Sequence, residues 1–170
     1  MLQRRESYSV GELLEFVHSI YRATDGKYPL LEWVDKKPSP EDFPAFKSVY
    51  EPFLRRRMDK EFDEMYVWGK QSIEATAALV YDFEGKDMEW IPESFRRKGN
   101  AFIELFMVSP SLWGRGYGKE ILAFLLDEIR RRKMHAHVST SDIIDAYDFY
   151  IKNGFREVGR HGIFIIMRHD

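Results

Sequence analysis

The 170-residue chain has no cysteine. That excludes disulfides, thiolate metal sites and a cysteine nucleophile, and it fits a reducing cytoplasmic setting. Glycine and proline are sparse, at 11 and 7 residues, too few for a collagenous or low-complexity chain. No apolar run approaches the ~18 residues that a membrane helix needs. The opening segment MLQRRESYSV lacks the apolar stretch of a signal peptide. The expectation is a soluble cytoplasmic protein with no membrane partner. An excess of one charge is also missing: 26 Lys and Arg stand against 28 Asp and Glu, a net −2, which gives nucleic-acid binding no support.

What is present describes one folded domain. Hydrophobic residues make up 44% and charged residues 32% of a chain long enough for a single core. Ser9-Val10-Gly11-Glu12 has capping-box spacing, and Leu13, Val17, Ile20 and Tyr21 then share one helical face, ending at Thr24-Asp25-Gly26. A second helix is predicted from near Asp42, with Pro44 in its first turn and Pro52 kinking it. Met65–Trp68 and Ile73–Tyr81 read as a strand hairpin, 84–99 as a polar loop, and Ala101–Val108 as a third strand. Ile121, Leu122, Leu125, Leu126 and Ile129 mark an amphipathic helix, followed by a short strand over His135–Ser139. A helix over Asp142–Lys152 stops at Asn153-Gly154, and Phe155–Val158 with Ile163–Met167 form a terminal hairpin. The order predicts one mixed α/β domain in which a helical part, 1–62, precedes a sheet-bearing part, 63–170.

The chemistry concentrates in Val108-Ser109-Pro110-Ser111-Leu112-Trp113-Gly114-Arg115-Gly116-Tyr117-Gly118-Lys119, which runs from strand through glycine turn to helix. Glycine lets the backbone come close to a ligand, and a helix start offers unpaired N–H groups and the positive end of a dipole. This indicates an anion or pyrophosphate site. A P-loop is excluded because Gly118-Lys119 is followed by Glu120 rather than Ser or Thr. A dinucleotide fingerprint is excluded because the turn is G-x-G-x-G and only about fifty residues follow it.

The segment resembles the acetyl-CoA signature of the GNAT superfamily, in which a strand ending in Val-x-Pro leads to a Gln/Arg-x-x-Gly-x-Gly/Ala helix start. Val108, Pro110, Gly116 and Gly118 match in register. Ala146-Tyr147-Asp148-Phe149-Tyr150-Ile151-Lys152-Asn153-Gly154-Phe155 is similar to the family's A-x-x-x-Y-x-x-x-G-F segment. Together they cover about 50 residues, and the order of elements extends the likeness to the whole chain.

The resemblance implies an α/β (α+β) domain with a mixed, mostly antiparallel sheet flanked by helices. It also implies an N-acetyltransferase using acetyl-CoA as co-substrate, without a metal, and a primary amine acceptor on a small molecule, a lysine or an N-terminus. Backbone groups of Met107 and Val108 would meet the pantetheine arm. Gly114, Arg115, Gly116, Tyr117 and Gly118 would hold the pyrophosphate, with Trp113 and Lys119 flanking them.

For the reaction itself, an amine with a pKa of about 10 must lose its proton before attacking a thioester. Glu104, at a position often acidic in the family, is the candidate base, and the Val108 N–H the oxyanion donor. Tyr150 is the candidate acid for the departing thiolate. Strand alternation predicts Glu104 on the face of Phe102, Phe106 and Val108, in partly apolar surroundings. Trp113 and Ile143 stand where the family carries polar residues, which also admits a weakly active acyl-CoA-binding module. A homodimer is common in the family, and nothing in the periodicity demonstrates one here.

Other clusters read more plainly. Arg55-Arg56-Arg57 and Arg130-Arg131-Arg132-Lys133 are expected to be solvated helix faces or ends. His135 and His137 share a strand face without a third metal ligand, and His161 falls in a turn. The acidic stretches 59–64 and 82–93 read as solvated loops, or as the approach for a cationic amine or a lysine side chain.

Overall fold

A computed structural model describes residues 2–170. Strand β1 (Arg4–Arg5) precedes helices α1 (Val10–Ala23) and α2 (Phe43–Lys60). Strands β2 (Glu64–Trp68), β3 (Ala75–Val80) and β4 (Asn100–Val108) follow. Helix α3 (Tyr117–Arg131), β5 (His135–Ser141), α4 (Ala146–Lys152), β6 (Phe155–His161) and β7 (Phe164–His169) complete the chain. The seven strands form one sheet in the order β1-β2-β3-β4-β5-β7-β6. Every neighbouring pair is antiparallel except β4 and β5, which α3 connects as parallel neighbours.

Helix α1 starts as its sequence dictates. The Ser9 side chain accepts from the Glu12 N–H, and the Glu12 carboxylate accepts from the Ser9 N–H. Helix α2 tolerates Pro44 in its first turn and carries Pro52 internally. The two helices cover one sheet face, where Leu13, Leu14, Val17, Phe46, Tyr50 and Leu54 pack with Leu105 and Met107. Helices α3 and α4 cover the other, where Ile121, Leu122, Leu125 and Tyr150 meet Ala101, Ile103 and Val138. Helix α4 begins at Ala146, four residues later than expected from Asp142, with Asp145 at its N-cap; the Asp142 carboxylate pairs with Arg160 at the surface. The two-residue strand β1 is too short for any periodic signal.

Two irregularities shape the centre of the sheet. Strand β4 carries an extra residue between its pairings of Glu104 with Ala78 and Met107 with Thr76, and Leu105 sits there at φ 48°. The bulge puts consecutive residues Glu104 and Leu105 on the same face. Parallel pairing of β4 with β5 ends at Ile103 and Val138, although β4 runs on to Val108 and β5 to Ser141. Beyond that point the strands separate, leaving an open backbone edge inside the sheet.

His137 on β5 is buried and stacks on Phe102 with ring centroids 5.1 Å apart. Burial disfavours the charged imidazole and lowers its pKa to about 4. The unfolded chain, at about 6.5, therefore binds a proton that the fold rejects. The neutral-His contribution is complete above pH 6.5 and declines as pH falls through 6.5 towards 4, by about 3 kcal/mol at most. Urea denaturation of the wild type and of His137→Asn at pH 7 and pH 4.5 should show this drop in the wild type and a smaller one in the variant.

Candidate active site

The glycine turn has the geometry that its sequence demands. Gly114 lies at φ 74° and Gly116, the N-cap of α3, at φ 85°, conformations that glycine adopts without penalty. A Cβ built on either would meet nothing within 4 Å, so no protein atom fills the space above the turn. Gly118 differs. Its Cβ would touch Phe149 at 3.6 Å, which makes it the close-packing glycine between α3 and α4. Gly116 offers no capping side chain, so the first N–H groups of α3, at Tyr117, Gly118 and Lys119, remain for a ligand. Arg115 and Lys119 are exposed beside them.

Trp113 has a definite place. Its indole Nε1 donates to the Val108 carbonyl at 2.8 Å, tying the turn to the end of β4 while about half the residue stays exposed. The Ser109 N–H donates to Glu74 O on the β3 side at 2.7 Å. Successive amides along a strand point to opposite edges, so the Val108 N–H points into the gap that faces β5. Across the gap, Ser139 Oγ and Thr140 Oγ1 of β5 are buried and have no hydrogen-bond partner among the described residues. No motif singles out these hydroxyls. Their signal was a run of Ser and Thr in an otherwise buried strand.

Glu104 requires a correction. The bulge removes it from the face of Phe106 and Val108, which look toward α3, and leaves it with Phe102, Leu105 and Met107 on the α1/α2 side. Its surroundings are ionic rather than apolar. Arg57 Nη2 donates to Glu104 Oε2 at 2.8 Å, and Arg57 Nε donates to Glu61 Oε2 at 2.9 Å. All three residues are buried. Glu104 Oε1 is buried with no partner among the described residues, so one carboxylate oxygen is held and the other is free to accept a proton.

Arg57 is the buried partner of Glu104 that the sequence conceals. The Arg55–Arg57 run looks like a solvated face, and Arg55 does pair with Glu51 at the surface. Arg57 instead turns inward beneath aromatic rings, with its guanidinium carbon 4.8 Å from the ring centroids of Phe62 and Trp90. The second basic run divides in the same way. Arg130 and Arg131 are exposed, whereas Arg132 reaches back to Glu64 on β2.

Tyr150, on α4, is buried against Phe149 and Phe155. Burial raises its pKa well above that of a free phenol, and the nearby Tyr28 hydroxyl and Glu104 carboxylate push it in the same direction. The phenol is therefore protonated throughout the neutral range. The separation of β4 from β5 lets a side chain from the α4 face feel a carboxylate on the opposite one. Tyr28, in the loop between α1 and α2, is held to about 12 by burial and by Glu104.

Ile143 is exposed in the turn before α4, outside the buried centre. His135 is exposed and His137 buried, and no group of three or more potential metal ligands occurs among the described residues. No described helix is long and apolar enough to cross a membrane.

A cavity of about 720 Å³ opens on the α2 side, bordered by Trp33, Phe53 and Trp90, by Glu32, Asp87 and Glu89, and by the β6–β7 turn with His161. Part of the acidic stretch read as a solvated loop thus forms a cavity wall. Its neighbours have structural duties: Asp63 accepts from the Tyr81 and Asp82 N–H groups and pairs with Lys86.

A glycine turn with uncapped helix-start amides, an open strand edge directly beyond it, and a carboxylate and a phenol near the opening together suit acyl transfer from a carrier laid along the split. The class of protein is an acyltransferase. The family model of the Acetyltransferase (GNAT) family matches residues 29–155. A presumed acetyltransferase from Pyrococcus horikoshii is 39% identical over 99% of this chain and 96% of its own, with a TM-score of 0.78. The fold also matches a PaiA N-acetyltransferase from Thermoplasma acidophilum in complex with coenzyme A, at 14% identity, a TM-score of 0.62, and coverage of 100% of this chain and 99% of that one. A GNAT-family acetyltransferase from Staphylococcus aureus matches at 15% identity and a TM-score of 0.63, over 99% and 98% of the two chains. No curated protein matches the sequence. The chain belongs to the GNAT family and is an acetyl-CoA-dependent acetyltransferase.

Proposed function

We propose that the protein transfers the acetyl group of acetyl-CoA directly to a primary amine, with Glu104 as base, the Val108 N–H as oxyanion donor and Tyr150 as acid. The observation that carries this reading is Glu104, buried, fixed through Oε2 by Arg57 and left with an unpartnered Oε1. Acetyl-CoA supplies an activated acyl carbon and a thiolate leaving group. The turn from Gly114 to Lys119 offers its amides to the pyrophosphate, flanked by Trp113 and the cationic Arg115 and Lys119, and the open edge at Val108, next to Met107, receives the pantetheine arm. Trp113 supports this arrangement by anchoring the turn to Val108.

Glu104 takes the proton that the ammonium must lose, directly or through one water. The Val108 N–H faces the negative charge that develops on the acyl oxygen. Tyr150, kept protonated by burial, donates to the leaving sulfur and is restored by the second proton, which the nitrogen gives up on becoming an amide. With no cysteine in the chain, direct transfer is the simplest route. The helical part, residues 1–62, supplies much of the acceptor side through α2, and residues 63–170 supply the cofactor side.

Calorimetric titration with acetyl-CoA, comparing the wild type with Gly116→Trp, tests the cofactor half of this reading. A side chain at position 116 meets no protein atom nearby, so the substitution blocks the turn at a modest cost in backbone strain, about 1 to 2 kcal/mol. The wild type should bind at micromolar concentration, and the folded variant should lose binding by about a hundredfold or more, the effect of burying a bulky ring where phosphate must sit. Equal affinities would remove the turn from the cofactor site. Retention of acetyl-CoA by the wild type without thiol release on any amine would make it a binding module.

A further inference from the structure

We propose that Ser139 holds the acceptor nitrogen opposite Glu104 and thereby favours primary over secondary amines. This rests on the amine-transfer reading of the site and adds a specificity-determining residue to it.

The register brings the two residues together. Strands β4 and β5 pair in parallel through Phe102 with His137 and Ile103 with Val138, and the next position along each strand is Glu104 and Ser139. The rings of Phe102 and His137 stack, so those residues share one sheet face. Two residues on, alternation returns Glu104 and Ser139 to that same face. Their other neighbours agree. Glu104 pairs with Ala78, which packs in the core beneath α1 and α2, and Ser139 pairs with Ile166, which packs with Phe102. Pairing stops between them, so they stand on either side of the split where it begins.

Each carries an oxygen with nothing to bond. Glu104 Oε1 and Ser139 Oγ are both buried and unpartnered among the described residues. The Leu105 carbonyl, at the bulge, is already held by Thr76 Oγ1 at 2.8 Å. Thr140 Oγ1 is also unpartnered, but it belongs to the opposite face with Val138, Ile165 and Tyr150. A buried hydroxyl without a partner costs free energy, which a ligand bringing an N–H recovers. A carboxylate oxygen on one side and a hydroxyl oxygen on the other form a seat for one nitrogen bearing several hydrogens.

The number of those hydrogens sets the selectivity. A primary ammonium has three. One goes to Glu104 as a proton and frees the lone pair. The nitrogen then bonds to the acetyl carbon, the carbon–sulfur bond breaks, and the thiolate takes a proton from Tyr150. A second proton leaves the nitrogen and restores Tyr150. The third hydrogen stays in the product amide, and Ser139 Oγ accepts it throughout. A secondary ammonium has only two, both of which must leave, so it reaches its product with none for Ser139.

The test is thiol release from saturating acetyl-CoA with pentylamine and with N-methylpentylamine, on Ser139→Val and Ser139→Thr. The two replacements have the same shape and differ in the hydroxyl. Ser139→Val should lower kcat/KM for pentylamine about tenfold, the worth of one hydrogen bond to a charged group, and leave that for N-methylpentylamine within about twofold. Ser139→Thr should stay near the wild type with both. An equal loss with both amines, or the same loss in Ser139→Thr, would mark a packing role and overturn the inference. An unchanged kcat/KM for pentylamine in Ser139→Val would overturn it too. Glu104→Gln, measured alongside, separates this from the reading beneath it. If Glu104→Gln slows release and Ser139→Val does not, amine transfer stands and Ser139 leaves the site. If Ser139→Val shows the selective loss while Glu104→Gln matches the wild type, Ser139 keeps the nitrogen and Glu104 loses the role of base. No release from the wild type with either amine would overturn both.

Discussion

Glu104→Gln is expected to lower kcat at pH 7 by about a hundredfold or more, the usual contribution of a positioned general base. The amide keeps the shape of the side chain and can still meet Arg57, but Oε1 no longer has a counterpart that accepts a proton. At neutral pH only about one amine in a thousand is unprotonated when its pKa is near 10, so the variant must wait for the free base. Its residual rate should therefore climb about tenfold per pH unit up to the amine's own pKa, while the wild type flattens earlier. A variant profile parallel to that of the wild type would remove Glu104 from the role of base. Tyr150→Phe is the companion measurement. It should slow turnover by about tenfold to a hundredfold and leave acetyl-CoA affinity within about threefold, because the ring packing against Phe149 and Phe155 survives while the proton donor is lost. Unchanged turnover in Tyr150→Phe across pH would exclude it as the acid.

The second large effect is on stability. Arg57→Met should destabilise the fold by about 3 to 5 kcal/mol, because it leaves Glu104 buried without a cation and Glu61 with only the half-exposed Arg56, at 3.6 Å. The triple replacement Arg57→Met, Glu61→Gln, Glu104→Gln should recover a substantial part of that loss, since it removes the charges together and not one alone. Denaturant midpoints of the three proteins decide the matter. If the single variant loses less than about 1 kcal/mol, water reaches the group and the network is not a closed one. The retained network has a function-related reading: Arg57 fixes one oxygen of Glu104, and only a fixed carboxylate presents the other to the acceptor in a constant direction.

Much of this protein is written locally. The Ser9–Glu12 box, the amphipathic face of α3 and the glycine turn before it depend on residues a few positions apart, so sequence patterns reveal them directly. Gly114 and Gly116 carry their own conformational requirement, and the Ala146–Phe155 segment its own spacing. From these alone the family, the fold class and the side of the molecule that would meet acetyl-CoA are legible. Tertiary structure decided what surrounds each candidate. Alternation along β4 misplaces Glu104, because the bulge at Leu105 is imposed by pairing with β3 and leaves no periodic mark. Arg57 reads as one of three surface arginines until α2 is laid against β4, 47 residues further on, where burial makes a counter-charge obligatory. Glu32, Asp87 and Glu89 belong to one cavity only because separate loops converge on α2. Backbone conformation is set by neighbours in sequence, whereas burial, charge pairing and cavity walls are set by neighbours in space, and for Glu104 and Arg57 those lie on different elements.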